Sequence, residues 1–248
     1  MSQLAGKTAV VTGGSRGFGR ATVEALAAEG MQVTAVARGA AALATLEREV
    51  GTVRTVAGDV ADPRVAARVL AETRPRVLVL NAGARSLSRP SRFHTWETFS
   101  AQLEVDVKAT FLWSREALLL PLEPGSTIVV VSSGAALSNF RLIGGYAAAK
   151  AAQWAFARCL AEEARELGVL VRCLLPNMSP DTEMGREGLR DFERYLSETE
   201  VAARKSRDSG PALTAADVGA AVLKLLKAPE QLAGVSFQVA PEGVAPMP

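Results

Sequence analysis

Tyr146 and Lys150 stand four residues apart in the run Tyr-Ala-Ala-Ala-Lys. On a helix that spacing sends both side chains to one face, and the three alanines leave the space around them open. A phenol ionises ordinarily near pH ~10 and is a poor proton donor or acceptor at neutrality. A nearby ammonium favours the phenolate, which turns the tyrosine into a usable acid and base. The pair Ser132-Ser133 follows the apolar run TIVVV and precedes Tyr146. Either hydroxyl could reach the same centre.

A second constellation lies near the N-terminus. Thr12-Gly13-Gly14-Ser15-Arg16-Gly17-Phe18-Gly19 joins a β-branched run to an Ala-rich stretch. Glycines allow a tight turn and a close approach of backbone to ligand. A helix opening directly behind them offers free N–H groups and a positive dipole end to a phosphate. The strand before and helix after give this loop the context of a dinucleotide cradle, although its spacing is not G-x-G-x-x-G. At the end of the next strand an acid would hold the ribose hydroxyls of NAD, but this chain has Ala37-Arg38-Gly39. A guanidinium there matches the 2′-phosphate of NADP, with Arg16 as a second candidate, so the expected cofactor is NADP(H).

These residues need a scaffold. Short apolar, β-branched runs recur at Thr8–Thr12, Gln32–Ala37, Thr52–Ala57, Arg76–Leu80, Thr127–Val131, Leu170–Leu174 and Val235–Val239. They are continuous rather than alternating, as strands covered on both faces should be. Helical stretches fill the gaps at Arg20–Glu29, Ala40–Val50, Val65–Thr73, Trp96–Leu120, Tyr146–Leu167 and Ala215–Lys227. The alternation predicts one α/β domain over residues 1–248, a doubly wound parallel sheet of about seven strands with helices on both faces. The exception is a charge-rich excursion, about 179–209, with Leu189, Phe192 and Leu196 on one helical face. It reads as a helical flap over the substrate or as an ordinary solvated helix.

Composition narrows the function. Lys and Arg total 28 against 26 Asp and Glu, a net charge of +2, which offers no broad basic footprint for nucleic acid or an anionic membrane. No apolar run approaches the ~20 residues of a membrane span, and no signal-like N-terminus precedes the first strand. Two cysteines and one histidine provide neither a disulfide framework nor a metal cluster, so no metal is expected. Cys159 and Cys173 both read as small buried hydrophobes, at home in a reducing cytoplasm. His94 reads as a surface loop residue. Arg85, Arg89, Arg92, Arg141 and Arg186 either attract an acidic substrate or are scattered surface charges.

Taken in order, these motifs resemble the short-chain dehydrogenase/reductase family along nearly the whole chain. Thr12, Gly13, Gly17 and Gly19 match its TGxxxGxG, Asn81-Ala82-Gly83 its NAG motif, and Tyr146 with Lys150 its YxxxK. Asp59-Val60 looks like the pair that holds the adenine ring. The resemblance implies that Ser133, with Ser132 as the neighbouring alternative, hydrogen-bonds the substrate oxygen. It also implies that Lys150 contacts the nicotinamide ribose. Asp106 stands where the family usually has an asparagine that binds a relay water; a carboxylate also binds water, but it offsets part of the lysine's field. Pro176-Asn177 replaces the Pro-Gly expected beside the nicotinamide, and asparagine tolerates left-handed backbone better than most residues. The implied activity is hydride transfer between NADP(H) and a ketone, aldehyde or secondary alcohol. The alternative, motivated by Asp106 and Asn177, is a nucleotide-binding regulator without turnover. A homo-oligomer, tetramer or dimer, is expected through the two long helices carrying Trp113, Trp154 and Phe156, although the same residues would also suit a core.

Overall fold

The computed structural model describes residues 2–207, 210–228 and 232–247. Its sheet runs β3-β2-β1-β4-β5-β6-β7-β8, formed by β1 Thr8–Thr12, β2 Gln32–Ala37, β3 Val53–Ala57, β4 Val77–Leu80, β5 Thr127–Val131, β6 Leu170–Pro176, β7 Ser236–Ala240 and β8 Gly243–Pro246. The first seven are parallel, in register such as Val10 beside Thr34 and Leu78. β8 is antiparallel to β7, with Val239 opposite Val244. The strand after β7 escapes the sequence reading because four residues ending in proline carry no run to recognise; proline also confines such a strand to a sheet edge.

Helices α1 Gly17–Ala28, α2 Ala40–Val50 and α9 Ala215–Lys227 cover one face of the sheet. Helices α3 Pro63–Thr73, α5 Lys108–Leu119 and α6 Gly144–Glu166 cover the other. The central strands are apolar throughout because both of their faces are covered: all four residues of β4 and all five of β5 are buried. Leu26 and Val222 seal the first layer, while Leu78, Ile128 and Trp113 seal the second. Full burial of one such side chain contributes roughly 1.5–3 kcal/mol.

The order of the sheet reverses between β1 and β4, whose chains leave toward opposite faces. In doubly wound sheets the crevice beyond the strand ends at that reversal holds the ligand. The glycine loop leaves β1 there and the Asn81–Gly83 segment leaves β4.

Several boundaries differ from the sequence reading. α1 begins at Gly17 rather than Arg20, so the helix N-terminus falls inside the glycine loop. The stretch Trp96–Leu120 is broken into α4 Trp96–Gln102, a π-helical turn Leu103–Val107 and α5. That wider turn, an irregularity that apolar periodicity does not register, carries Asp106 into the interior, fully buried. The excursion forms α7 Glu183–Glu193 and α8 Glu198–Arg207, with Phe192 buried and Leu189 and Leu196 half-buried. Ser209, the expected end of the flap, lies outside the described residues. Trp113 is a core residue, fully buried, with its indole N–H donating to Val60 O at 3.0 Å. It therefore cannot anchor an interface. Trp154 and Phe156 are partly buried against the same core layer, and the Trp154 indole donates to Ser236 Oγ at 2.8 Å. Cys173 is buried as expected, but Cys159 is exposed, because it falls on the outward face of α6 beside Ala155, Arg158 and Glu162.

Candidate active site

Thr12 stitches the two loops at the crevice together. Its hydroxyl donates to Val79 O at 3.2 Å and accepts from the backbone N–H groups of Asn81 and Ala82 at 3.0 and 3.2 Å. The Asn81 amide returns the contact, donating to Thr12 O and Gly13 O at 3.1 and 3.4 Å. Only glycine fits in such proximity. A Cβ on Gly13, which sits at φ 68°, would come within 2.8 Å of Ala82 Cα, and one on Gly19 within 2.2 Å of Gly13 O. The start of α1 has no side-chain cap and no acid in its first turn, leaving its N–H groups for an anion. The cradle therefore fits a dinucleotide pyrophosphate, with Ser15 and Phe18 in the same loop.

The other proposed contacts surround it. Arg38 lies exposed just beyond β2 and, among the described residues, has no ion-pair partner. Arg16 is also exposed but is paired with Glu183 at 2.5 Å. Asp59 is exposed and accepts from Ala61 N at 2.9 Å, beside buried Val60. Pro176 ends β6, and Asn177 continues the ladder through its N–H to Val239 O at 2.9 Å. Asn177 does not use left-handed backbone: among the described non-glycine residues only Arg74 has positive φ. Its Oδ1 takes a bond from Gln238 Nε2 at 3.4 Å, a second contact to β7.

Tyr146 and Lys150 occupy one face of α6, with the ammonium 5.6 Å from the phenol ring centre. The two serines divide their work. Ser132 is buried and donates to Lys150 O at 2.8 Å, tying the loop after β5 to α6. Ser133 is half-buried, accepts from Ala135 N at 3.1 Å as the cap of the turn Gly134–Leu137, and keeps its own proton for another partner. Of the two, Ser133 is the hydroxyl that donates to no acceptor among the described residues.

Lys150 is 4% exposed, and its Nζ sits 2.9 Å from Asp106 Oδ2 and 2.8 Å from Gln153 Oε1. Burial works against its charge, yet the Asp106 carboxylate and the Tyr146 oxygen outweigh it, so the ammonium is held more firmly than an ordinary lysine's. Asp106 Oδ1 accepts from Ala84 N at 2.7 Å, which links the lysine to the loop after β4. Sequence reasoning missed Gln153. Its signal was present: a polar amide among Ala149, Ala157 and Leu160 on the buried face of α6.

The flap lies against this end of the sheet. Arg85 pairs with Glu187 at 3.1 Å and Arg141 with Glu200 at 2.6 Å, while Arg186 donates to Asp181 O at 2.5 Å. Three of the five arginines considered as substrate attractors are thus engaged within the protein; Arg92 lies over the Phe93 ring, 4.7 Å from its centre. His94 is half-buried rather than a surface residue, packed edge-on to Phe99, and burial with nearby Arg89 pulls its pKa down. A cleft of about 460 Å³ opens between α1 and residues 181–186, lined by Arg16, Arg20, Glu183 and Arg186; Tyr146 and Ser133 are not among its walls. Among the described residues there is no metal-ligating cluster, and no helix is long and apolar enough to cross a membrane.

The short chain dehydrogenase family model matches residues 7–191. L-xylulose reductase from Mesocricetus auratus is 32% identical over 193 residues, which span 76% of this chain and 78% of that one. Carbonyl reductase (NADPH) 2 from Sus scrofa is 30% identical over 192 residues, 77% of this chain and 78% of that one. Among solved structures, a short chain dehydrogenase from Burkholderia cenocepacia in complex with NADP superimposes with a TM-score of 0.80 at 27% identity, covering 96% of this chain and 98% of the other.

Proposed function

The chain belongs to the short-chain dehydrogenase/reductase family and is an oxidoreductase of that family, and from this premise we propose that it interconverts a ketone or aldehyde and the corresponding alcohol with NADP(H). The observation that carries the reading is the placement of Tyr146 and Lys150 on one face of α6, beside a serine whose hydroxyl proton is free and at the sheet end that bears the glycine cradle. The bound nicotinamide would supply or take the hydride. Tyr146 gives its proton to the carbonyl oxygen as that oxygen gains negative charge, and takes it back in alcohol oxidation. Ser133 donates to the same oxygen and orients it. Lys150 provides the positive charge that makes the phenol a competent acid and base, and would contact the ribose of a bound nicotinamide.

Support for NADP(H) over NAD(H) comes from Arg38 and the absence of an acid at the end of β2. Arg38 is the stronger candidate for the 2′-phosphate, since Arg16 must first leave Glu183. The substrate is a small carbonyl or alcohol, and the relatives named as L-xylulose and carbonyl reductases support that class. We place the protein in the cytoplasm as a homotetramer. Its exposed Phe111, which meets Phe156 at 6.2 Å between ring centres, offers an aromatic surface for a subunit contact on α5 after Trp113 is assigned to the core. Two experiments test these readings. NADPH oxidation with a panel of ketones and aldehydes should proceed; tight NADPH binding with no turnover on any of them would favour a regulator instead. Light scattering at micromolar concentration should give four times the chain mass; a monomer would refute the assembly.

A further inference from the structure

The ammonium of Lys150 has three protons to donate, and one of them is committed to Gln153 Oε1 at 2.8 Å. Its charge is paired with Asp106 Oδ2 at 2.9 Å, an ion pair outside hydrogen-bond geometry. Gln153 is 1% exposed and held from its other end, its amide nitrogen donating to Thr110 Oγ1 at 2.7 Å and to Asp106 O at 3.1 Å. Thr110 donates in turn to Asp106 O at 2.8 Å. The amide therefore cannot rotate without losing three contacts, and its oxygen is fixed toward the lysine. This links α6, α5 and the π-helical turn around a single charge.

We propose that Gln153 is a positioning residue of the active site, which with Asp106 holds the Lys150 ammonium back from Tyr146 and so sets how much of its hydrogen bonding the tyrosine receives. The inference rests on Tyr146 and Lys150 being the reacting pair, as argued above. The ionisable groups facing the ammonium are Asp106 from the π-helical turn, Tyr146 from its own helix and Cys173 from β6. The Cys173 thiol is pushed up to about 12 by burial and stays neutral over the working range, so it does not compete. With Gln153 removed and Asp106 still keeping the lysine charged, one N–H is released. The Tyr146 oxygen, on the same face of α6, competes with Asp106 Oδ2 for it, and the share it takes favours the phenolate.

The chain has two tyrosines, so a Tyr195→Phe background, which keeps the ring stacked on Phe93, leaves Tyr146 as the sole source of tyrosinate absorbance. In that background the pH midpoint of the near-ultraviolet tyrosinate signal is read on the full chain without cofactor or substrate. Gln153→Met should lower the midpoint by roughly half a pH unit or more. Gln153→Glu, which adds a carboxylate beside the ammonium, should raise it. Thr110→Val, which removes the glutamine's contact to Thr110 and one bond to Asp106 O but leaves Gln153 itself in place, should lower it less than Gln153→Met. A folded Gln153→Met chain whose midpoint is unchanged or raised overturns the proposal and makes Gln153 a structural residue alone. If Gln153→Met does not fold, an unchanged midpoint in Thr110→Val does the same. A wild-type chain that turns over no carbonyl would sink the functional reading without moving this titration, so the two failures are separable.

Discussion

The lysine network and the flap both bring opposite charges together at the same end of the sheet, yet they differ in what surrounds them. Asp106 and Lys150 are 0% and 6% exposed at their side chains, whereas Arg16 and Glu183 are 65% and 55% exposed. A buried pair has been removed from water at a cost that only its partners offset, so deleting one member leaves an uncompensated charge. An exposed pair exchanges readily with water and salt. The comparison teaches that the chain fixes the lysine beside its proposed proton donor and leaves adjustable an arginine of the glycine loop.

Removing the buried partner should produce the largest effect. Asp106→Ala should cost about 3–5 kcal/mol of stability at pH 7. In the wild type the Lys150 value lies above its unfolded one, so the stability this group adds is complete below an unfolded value of ~10.4 and is lost only as pH climbs through the folded value. In Asp106→Ala burial is opposed far less, the folded value drops below the unfolded one, and the unfolded chain binds the extra proton. The deficit of the variant should therefore shrink as pH rises from 7 toward 10, measured by urea unfolding. A constant deficit would mean that Lys150 keeps its charge without Asp106.

On the exposed side, Arg38→Ala should weaken NADPH by roughly ten- to a hundredfold, since a charge-assisted contact contributes ~1.5–3 kcal/mol, and leave NADH nearly unchanged. Equal losses for both cofactors in fluorescence titration would remove Arg38 from the 2′-phosphate. The smallest effect belongs to Glu183→Gln, which should change stability by no more than about 1 kcal/mol. By releasing Arg16 it should tighten NADPH slightly more than NADH, and the gain should fade with added salt.

How much of this could be read beforehand follows the same division. The parallel sheet was legible because TAVVT, VLVL and TIVVV are continuous apolar runs, and a strand covered on both faces has no other composition open to it. Tyr146, Lys150 and the glycine loop could be singled out as candidates because the chemistry proposed for them fixes residue type and spacing together. The direct Asp106–Lys150 contact was legible only in outline, since the π-helical turn that delivers the carboxylate lies inside what periodicity reads as one helix. Gln153 was passed over because a lone amide on a helix usually faces solvent, and only the packing of α5 against α6 turns it inward. Cys159 was misplaced for the converse reason: apolar neighbours in sequence are not neighbours in space on a helix.

The reading of Tyr146 as the proton donor is the claim on which the rest depends, and one paired measurement addresses it. Tyr146→Phe keeps the ring and removes the hydroxyl, so NADPH affinity by fluorescence titration and carbonyl reduction by NADPH consumption can be compared in the same two proteins. The account predicts affinity within about twofold of the wild type and a turnover lowered by 10²–10⁴ or more, the usual worth of a positioned acid. Turnover retained with normal binding would contradict it and assign the proton to another group.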